Sequence, residues 1–121
     1  MYHNLPKNFL EFSQKLNEHK VKYLLLVGET SAFGYDLLVE ASEGNTQRMS
    51  RATYECGIDR KKCLPDLFMS SDSVFEIHRV PSPIYIYTSI KGMEFKMAYK
   101  RQRQFELAGV KIPFVHRKDL L

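Results

Sequence analysis

Lys22-Tyr23-Leu24-Leu25-Leu26-Val27-Gly28-Glu29-Thr30-Ser31-Ala32-Phe33-Gly34-Tyr35-Asp36-Leu37-Leu38-Val39 is the segment from which the architecture of this chain can be read. Val21 to Val27 is a continuous apolar, β-prone run rather than an alternating one. A run of that length predicts a strand buried on both faces. It stops at Gly28, where Gly28-Glu29-Thr30-Ser31 predicts a turn, and Asp36 to Glu40 predicts a second strand. A turn whose glycine lets backbone N–H groups approach closely can hold phosphate oxygens. A carboxylate on an adjacent strand can hold a divalent cation that neutralises them. One glycine and one aspartate also describe an ordinary tight turn beside a surface acid.

Upstream of this segment, Phe9, Leu10, Phe12 and Leu16 recur at helical spacing after Pro6, predicting an amphipathic helix over residues 6–20. Downstream, Ser42 is placed to cap a helix over 43–56, with Gly57 as its stop. Residues 58–73 have no period and read as loop. Val74 to Arg79 alternates, with Phe75 and Ile77 on one face and Glu76 and His78 on the other. Ile84 to Thr88 predicts a further strand, residues 93–101 a short helix, and residues 103–115 a hairpin turning at Gly109. Mixed strands and isolated helices predict an α+β fold, a short mixed sheet with its helices mainly on one face. The hairpin should extend that sheet at an edge. All 121 residues are expected to form one domain.

Composition narrows the classes. Hydrophobic residues are 44% and charged residues 26% of the chain, which excludes disorder and a disulfide-dense scaffold. The longest apolar run, Tyr23 to Gly28, is far short of the roughly 20 residues a membrane helix needs. The opening Met1-Tyr2-His3-Asn4-Leu5-Pro6 lacks the order of a signal peptide, so the expected location is cytoplasmic. Cys56 and Cys63 have neither CxxC spacing nor paired histidines nearby and read as two reduced thiols. Net charge is +4, concentrated in Arg60-Lys61-Lys62 and in Lys96, Lys100, Arg101 and Arg103. Such clusters permit phosphate or nucleic-acid binding, but solvated surface is the plainer reading and no nucleic-acid-reading module is present. His78 and His116 read as packed or surface groups, and Tyr85 and Tyr87 as a pair covering one sheet face. Ser31 lacks the surroundings of a hydrolase nucleophile.

Several strings, taken in order, resemble the small bacterial nucleotidyltransferases of the polymerase-beta-like superfamily, in particular the group linked to toxin–antitoxin or abortive-infection loci. Asn8-Phe9-Leu10-Glu11-Phe12 through Tyr23 resembles the family's first helix and its lead into the first strand. Asp36-Leu37-Leu38-Val39-Glu40-Ala41-Ser42-Glu43-Gly44-Asn45 resembles its metal-site strand and the following helix cap. Leu64-Pro65-Asp66-Leu67, Thr88-Ser89-Ile90-Lys91-Gly92 and Gly109-Val110-Lys111-Ile112-Pro113-Phe114 match later segments in order. The resemblance covers nearly the whole chain, although the family usually continues into a further helix after its counterpart of Leu121. It implies transfer of a nucleoside monophosphate from an NTP to a protein or small-molecule hydroxyl. Gly28, Thr30 and Ser31 would then contact phosphate, and Asp36 would be the catalytic acid holding Mg²⁺.

Three departures bear on that implication. The family's first turn carries Gly-Gly or Gly-Ser, whereas this chain has Gly28-Glu29, and a carboxylate there repels phosphate. The family's Asp-x-Asp pair is here Gly34-Tyr35-Asp36, leaving only the second acid, and the segment before it is short. The third acid falls at or next to Tyr85, on a strand without a carboxylate. Glu40 cannot substitute, because four residues along a strand is about 13 Å; Glu76 could approach Asp36 only if their strands lie close. The alternative function is therefore a degenerate nucleotidyltransferase-like protein that binds a protein partner, for example one half of a toxin–antitoxin pair.

Overall fold

The computed structural model describes residues 5–28, 34–69, 74–77, 83–90, 93–116 and 118. The elements are α1 (Lys7–Glu18), β1 (Tyr23–Val27), β2 (Tyr35–Val39), α2 (Glu43–Glu55), β3 (Val74–Ile77), β4 (Ile84–Tyr87), α3 (Phe95–Lys100), β5 (Arg103–Leu107) and β6 (Val110–His116). Between α2 and β3, where the sequence reads as loop, two short 3₁₀ turns span Arg60–Lys62 and Pro65–Phe68. The six strands form one mixed sheet in the order β3-β4-β2-β1-β6-β5.

β1 lies inside this sheet, antiparallel to β2 with Leu24 opposite Leu38, and parallel to β6 with Leu25 beside Phe114. That position explains its unbroken apolar run, since Tyr23 to Leu26 are all buried and both faces need covering. Tyr23, Leu25, Leu37, Val39, Ile84, Ile86, Ile112 and Phe114 point to one face, where Phe9, Phe12 and Leu16 of α1 and Met49 and Ala52 of α2 close the main core. The alternate residues Leu24, Leu26, Leu38 and Val115 meet Ala98 of α3, flanked by Phe95 and Tyr99, on the opposite face. The two long helices thus share one face, as the sequence predicts, while the short third helix covers the other. The hairpin does extend the sheet, with β5 at the edge and β6 inserted beside β1.

Local chemistry ends these elements where their residue types require. Ser42 Oγ accepts from the Asn45 N–H at 3.3 Å, capping α2. Gly57 follows α2 at φ 94°, a left-handed conformation that favours glycine. Lys20 adopts φ 57° after α1, and its N–H donates to Asn17 O at 3.0 Å as the chain turns into β1. The buried Tyr23 hydroxyl donates to Asn17 Oδ1 at 3.0 Å, tying β1 to the end of α1, and its burial raises its pKa well above the usual range. No helix among the described residues is long and apolar enough to cross a membrane.

The C-terminal ends of α1 and α2 meet through charge. His19 Nε2 lies 2.8 Å from Glu55 Oε2, and Lys15 Nζ lies 3.6 Å from Glu55 Oε1 and 3.1 Å from Glu18 Oε2. The hydrogen bond with His19, joined by the charges of His19 and Lys15, lowers the Glu55 pKa. A carboxylate with a depressed folded pKa contributes stability that is present above its unfolded pKa and is lost as pH falls through the folded one. Thermal melts should therefore lose stability below about pH 4.3, and Glu55→Gln should flatten that acid limb. An unchanged acid limb in the variant would show that Glu55 contributes nothing to it.

Candidate functional site

Gly28, Gly34 and Asp36 lie at one end of the two central strands. Gly28 follows β1 and is exposed, and Asp36 sits on β2 with only 6% of its surface accessible. Leu26 of β1 pairs with Asp36, so Gly28 after β1 and Gly34 before β2 lie at the same end of the two strands. The structure thus brings Gly28 and Asp36 to the same end of the sheet. Thr30, Ser31 and Glu29 lie outside the described residues, as does His78.

The neighbours of Asp36 follow from register. Tyr85 of β4 pairs with Asp36 on one side and with Glu76 of β3 on the other. Side chains of residues paired across adjacent strands stand on the same face, so Glu76, Tyr85, Asp36 and Leu26 form one row across the sheet. This row lies on the face that carries α3. Glu76 and Asp36 are two strand spacings apart, roughly 10 Å between backbones, with a tyrosine between them. A Mg²⁺ ion takes oxygen ligands at about 2.0–2.1 Å in a near-octahedral arrangement. An aromatic ring at the middle position of the row separates the two carboxylates that would have to converge. Among the described residues there is no group of three or more His, Cys, Asp or Glu side chains able to hold a metal ion. The described side chains therefore do not fit a two-metal phosphoryl-transfer centre.

Gly34 shows how closely this corner is packed. A Cβ added there would lie 2.5 Å from the Pro83 carbonyl oxygen and 2.8 Å from Cε2 of Tyr85. The Tyr35 N–H donates to that same Pro83 oxygen at 3.0 Å. Gly34 thus admits both the start of β4 and the Tyr85 ring against the start of β2. In the sequence Gly34 stands out only as the position of the missing first acid of the pair; the close packing that requires a glycine there is visible in the structure alone.

The remaining sequence-predicted groups are structural or at the surface. Tyr87 packs on the α3-side cluster, next along β4 from Tyr85 on the same face. His116 ends β6 with its ring edge-to-face on Phe114, at 5.6 Å between centroids and 84° between planes. Cys63 is buried and Cys56 half-buried, with no disulfide; burial raises the Cys63 thiol pKa. Arg60, Lys61 and Lys62 are exposed, and the Arg60 guanidinium sits 5.0 Å from the centre of the Tyr54 ring. The second basic cluster is exposed along α3 and the start of β5. Comparison of the chain with protein-family models, with characterised proteins and with solved structures finds no match.

Proposed function

We propose that this chain is a nucleotidyltransferase-like domain that has lost metal-dependent transfer and works by binding a protein partner. The row Glu76–Tyr85–Asp36 carries the reading, because a tyrosine occupies the position where a converging acid would be required. The surface around β3 supports the binding half. Leu64, Leu67, Met69 and Val74 are each between 42% and 47% exposed, and Phe68 against Phe75 joins the second 3₁₀ turn to β3 at 4.9 Å. Among the described residues β3 is also the terminal strand of the sheet order, and the Phe68–Phe75 contact brings the second 3₁₀ turn to it; a strand edge near apolar surface is what strand-pairing partners use.

The test is thermal denaturation with each Mg²⁺–NTP. Saturating nucleotide at 100 times its dissociation constant stabilises by about 2.7 kcal/mol. No shift is expected for the native chain. A shift of that size that disappears in Asp36→Asn would establish the competing reading, NMP transfer with Asp36 as metal ligand. Tyr85→Asp provides the reciprocal arm, since it sets two carboxylates side by side on β2 and β4. That variant should melt lower than the parent and recover with millimolar Mg²⁺ or Mn²⁺. If added metal leaves it unchanged, the tyrosine is not what separates this row from a metal site. For the partner, Leu67→Lys and Val74→Lys should weaken any complex purified with the parent chain, while leaving the fold intact.

A further inference from the structure

On the opposite side of the sheet from Asp36, a cleft of about 340 Å³ opens between α1 and the C-terminal end of α2, above the β3–β4 pair. Its volume falls in the lower part of the range of small-molecule sites, about 300–1,000 Å³. Its apolar wall is formed by Phe12 of α1, Ile58 beyond α2, and Ile77 and Ile84, which pair across β3 and β4. Its charged wall is lopsided. Glu11, Glu18 and Glu55 line it against Lys15 alone, on a chain whose formal net charge is +4. Lys7 meets Glu11 at 4.0 Å, Lys15 lies within 3.6 Å of both Glu55 and Glu18, and His19 reaches Glu55 from outside the lining, so three carboxylates face two lysines and one formal negative charge is left over.

Asn8 adds a polar group to this wall. Both its Oδ1 and its Nδ2 are buried without a hydrogen-bond partner, although native interiors almost always satisfy such atoms. As a lining residue, Asn8 offers the cleft an amide that can both donate and accept. An apolar wall, an excess of carboxylates and an unused amide complement an apolar body bearing a positive charge and hydrogen-bonding groups. The same carboxylates repel phosphate, so a nucleotide is the wrong ligand here.

We propose that this cleft binds a small organic cation, an amine on an apolar body, with the ammonium beside Glu18 and Glu55 and the body against Phe12, Ile77 and Ile84. The site lies on the face away from Asp36 and does not depend on whether the chain transfers nucleotides or binds a protein.

The probe is phenethylamine, titrated into the intact chain by calorimetry and by amide NMR, with 2-phenylethanol as its uncharged counterpart. A fragment of this size should bind at about millimolar affinity. The amine should bind about tenfold more tightly than the alcohol, with shifts concentrated in α1, the end of α2 and β3–β4. Removing a unit charge about 6 Å away in a water-like dielectric weakens binding roughly threefold. The double variant Glu18→Gln/Glu55→Gln, both at exposed positions, should therefore weaken the amine about tenfold and leave the alcohol unchanged. Gln14→Trp, on the exposed surface of α1 at the cleft mouth, should block both probes without disturbing the core. Equal affinity for amine and alcohol, shifts elsewhere on the molecule, or no saturation at about 10 mM amine would each overturn the proposal.

Discussion

Replacing Asn45 with alanine is expected to lower the stability of this chain by about 3–4 kcal/mol. Asn45 is fully buried in the first turn of α2, yet its side chain bonds to the residues that flank the two central strands. Its Oδ1 accepts from the Lys22 N–H at 2.7 Å, and its Nδ2 donates to Lys22 O at 3.1 Å and to Glu40 O at 2.9 Å. One amide therefore clasps the chain where it enters β1 and where it leaves β2, holding α2 against both. Alanine would strand the Lys22 N–H and the Glu40 carbonyl in a partly buried setting, each at about 1–3 kcal/mol, while Lys22 O keeps the Glu40 N–H at 3.3 Å. For a domain of this size the melting temperature should fall by roughly 10–20 °C. Asn45→Asp should do no better, because a carboxylate keeps the acceptor, loses both donors and faces two carbonyl oxygens. Urea denaturation of the three proteins measures this directly. A loss under about 1 kcal/mol in Asn45→Ala would mean that water replaces the clasp.

The second large effect is expected at Gly34. An alanine Cβ would press on the Pro83 carbonyl oxygen at 2.5 Å, and that atom is backbone held by the Tyr35 N–H. Overpacking of this kind typically costs about 1–3 kcal/mol, and the upper part of that range applies where the neighbour cannot rotate away. The Tyr85 ring, at 2.8 Å, is the more yielding of the two contacts. Gly34→Ala combined with Tyr85→Ala should therefore be less damaging than the sum of the single variants, by about 1 kcal/mol. Strict additivity would show that the ring does not press on this corner. The same double-mutant cycle bears on function, because Tyr85 separates Asp36 from Glu76 in the sheet.

Much of the local structure is legible from residue order. Phe9, Phe12 and Leu16 repeat at the helical period and do form the buried face of α1. Ser42 and Gly57 bracket α2, and Gly109, at φ 80°, turns the final hairpin. In each case a side chain or a glycine acts on backbone within a few residues, so the cause and the effect share one window of sequence. Helix ends recede by one or two residues from their expected bounds, where terminal turns run out of hydrogen-bond partners. The short third helix goes to the opposite face because Phe95, Ala98 and Tyr99 meet Leu24, Leu26, Leu38 and Val115 there. Its own periodicity specifies an apolar side but not which sheet face receives it.

What the sequence by itself determined is the α+β class, the element types, and the burial of β1 on both faces. It also established that the strand bearing Asp36 has no second acid beside it in the chain. Only the tertiary structure decided that β4 lies between β2 and β3, placing Tyr85 rather than Glu76 beside Asp36. Only it brought Asn45 to Lys22 and Glu40, and Asn8 into the cleft with Glu55, Ile77 and Ile84. The physical reason is common to all three. Strand pairing is made by backbone groups that every residue carries, so its partners are chosen by the burial of the whole sheet rather than by any local pattern.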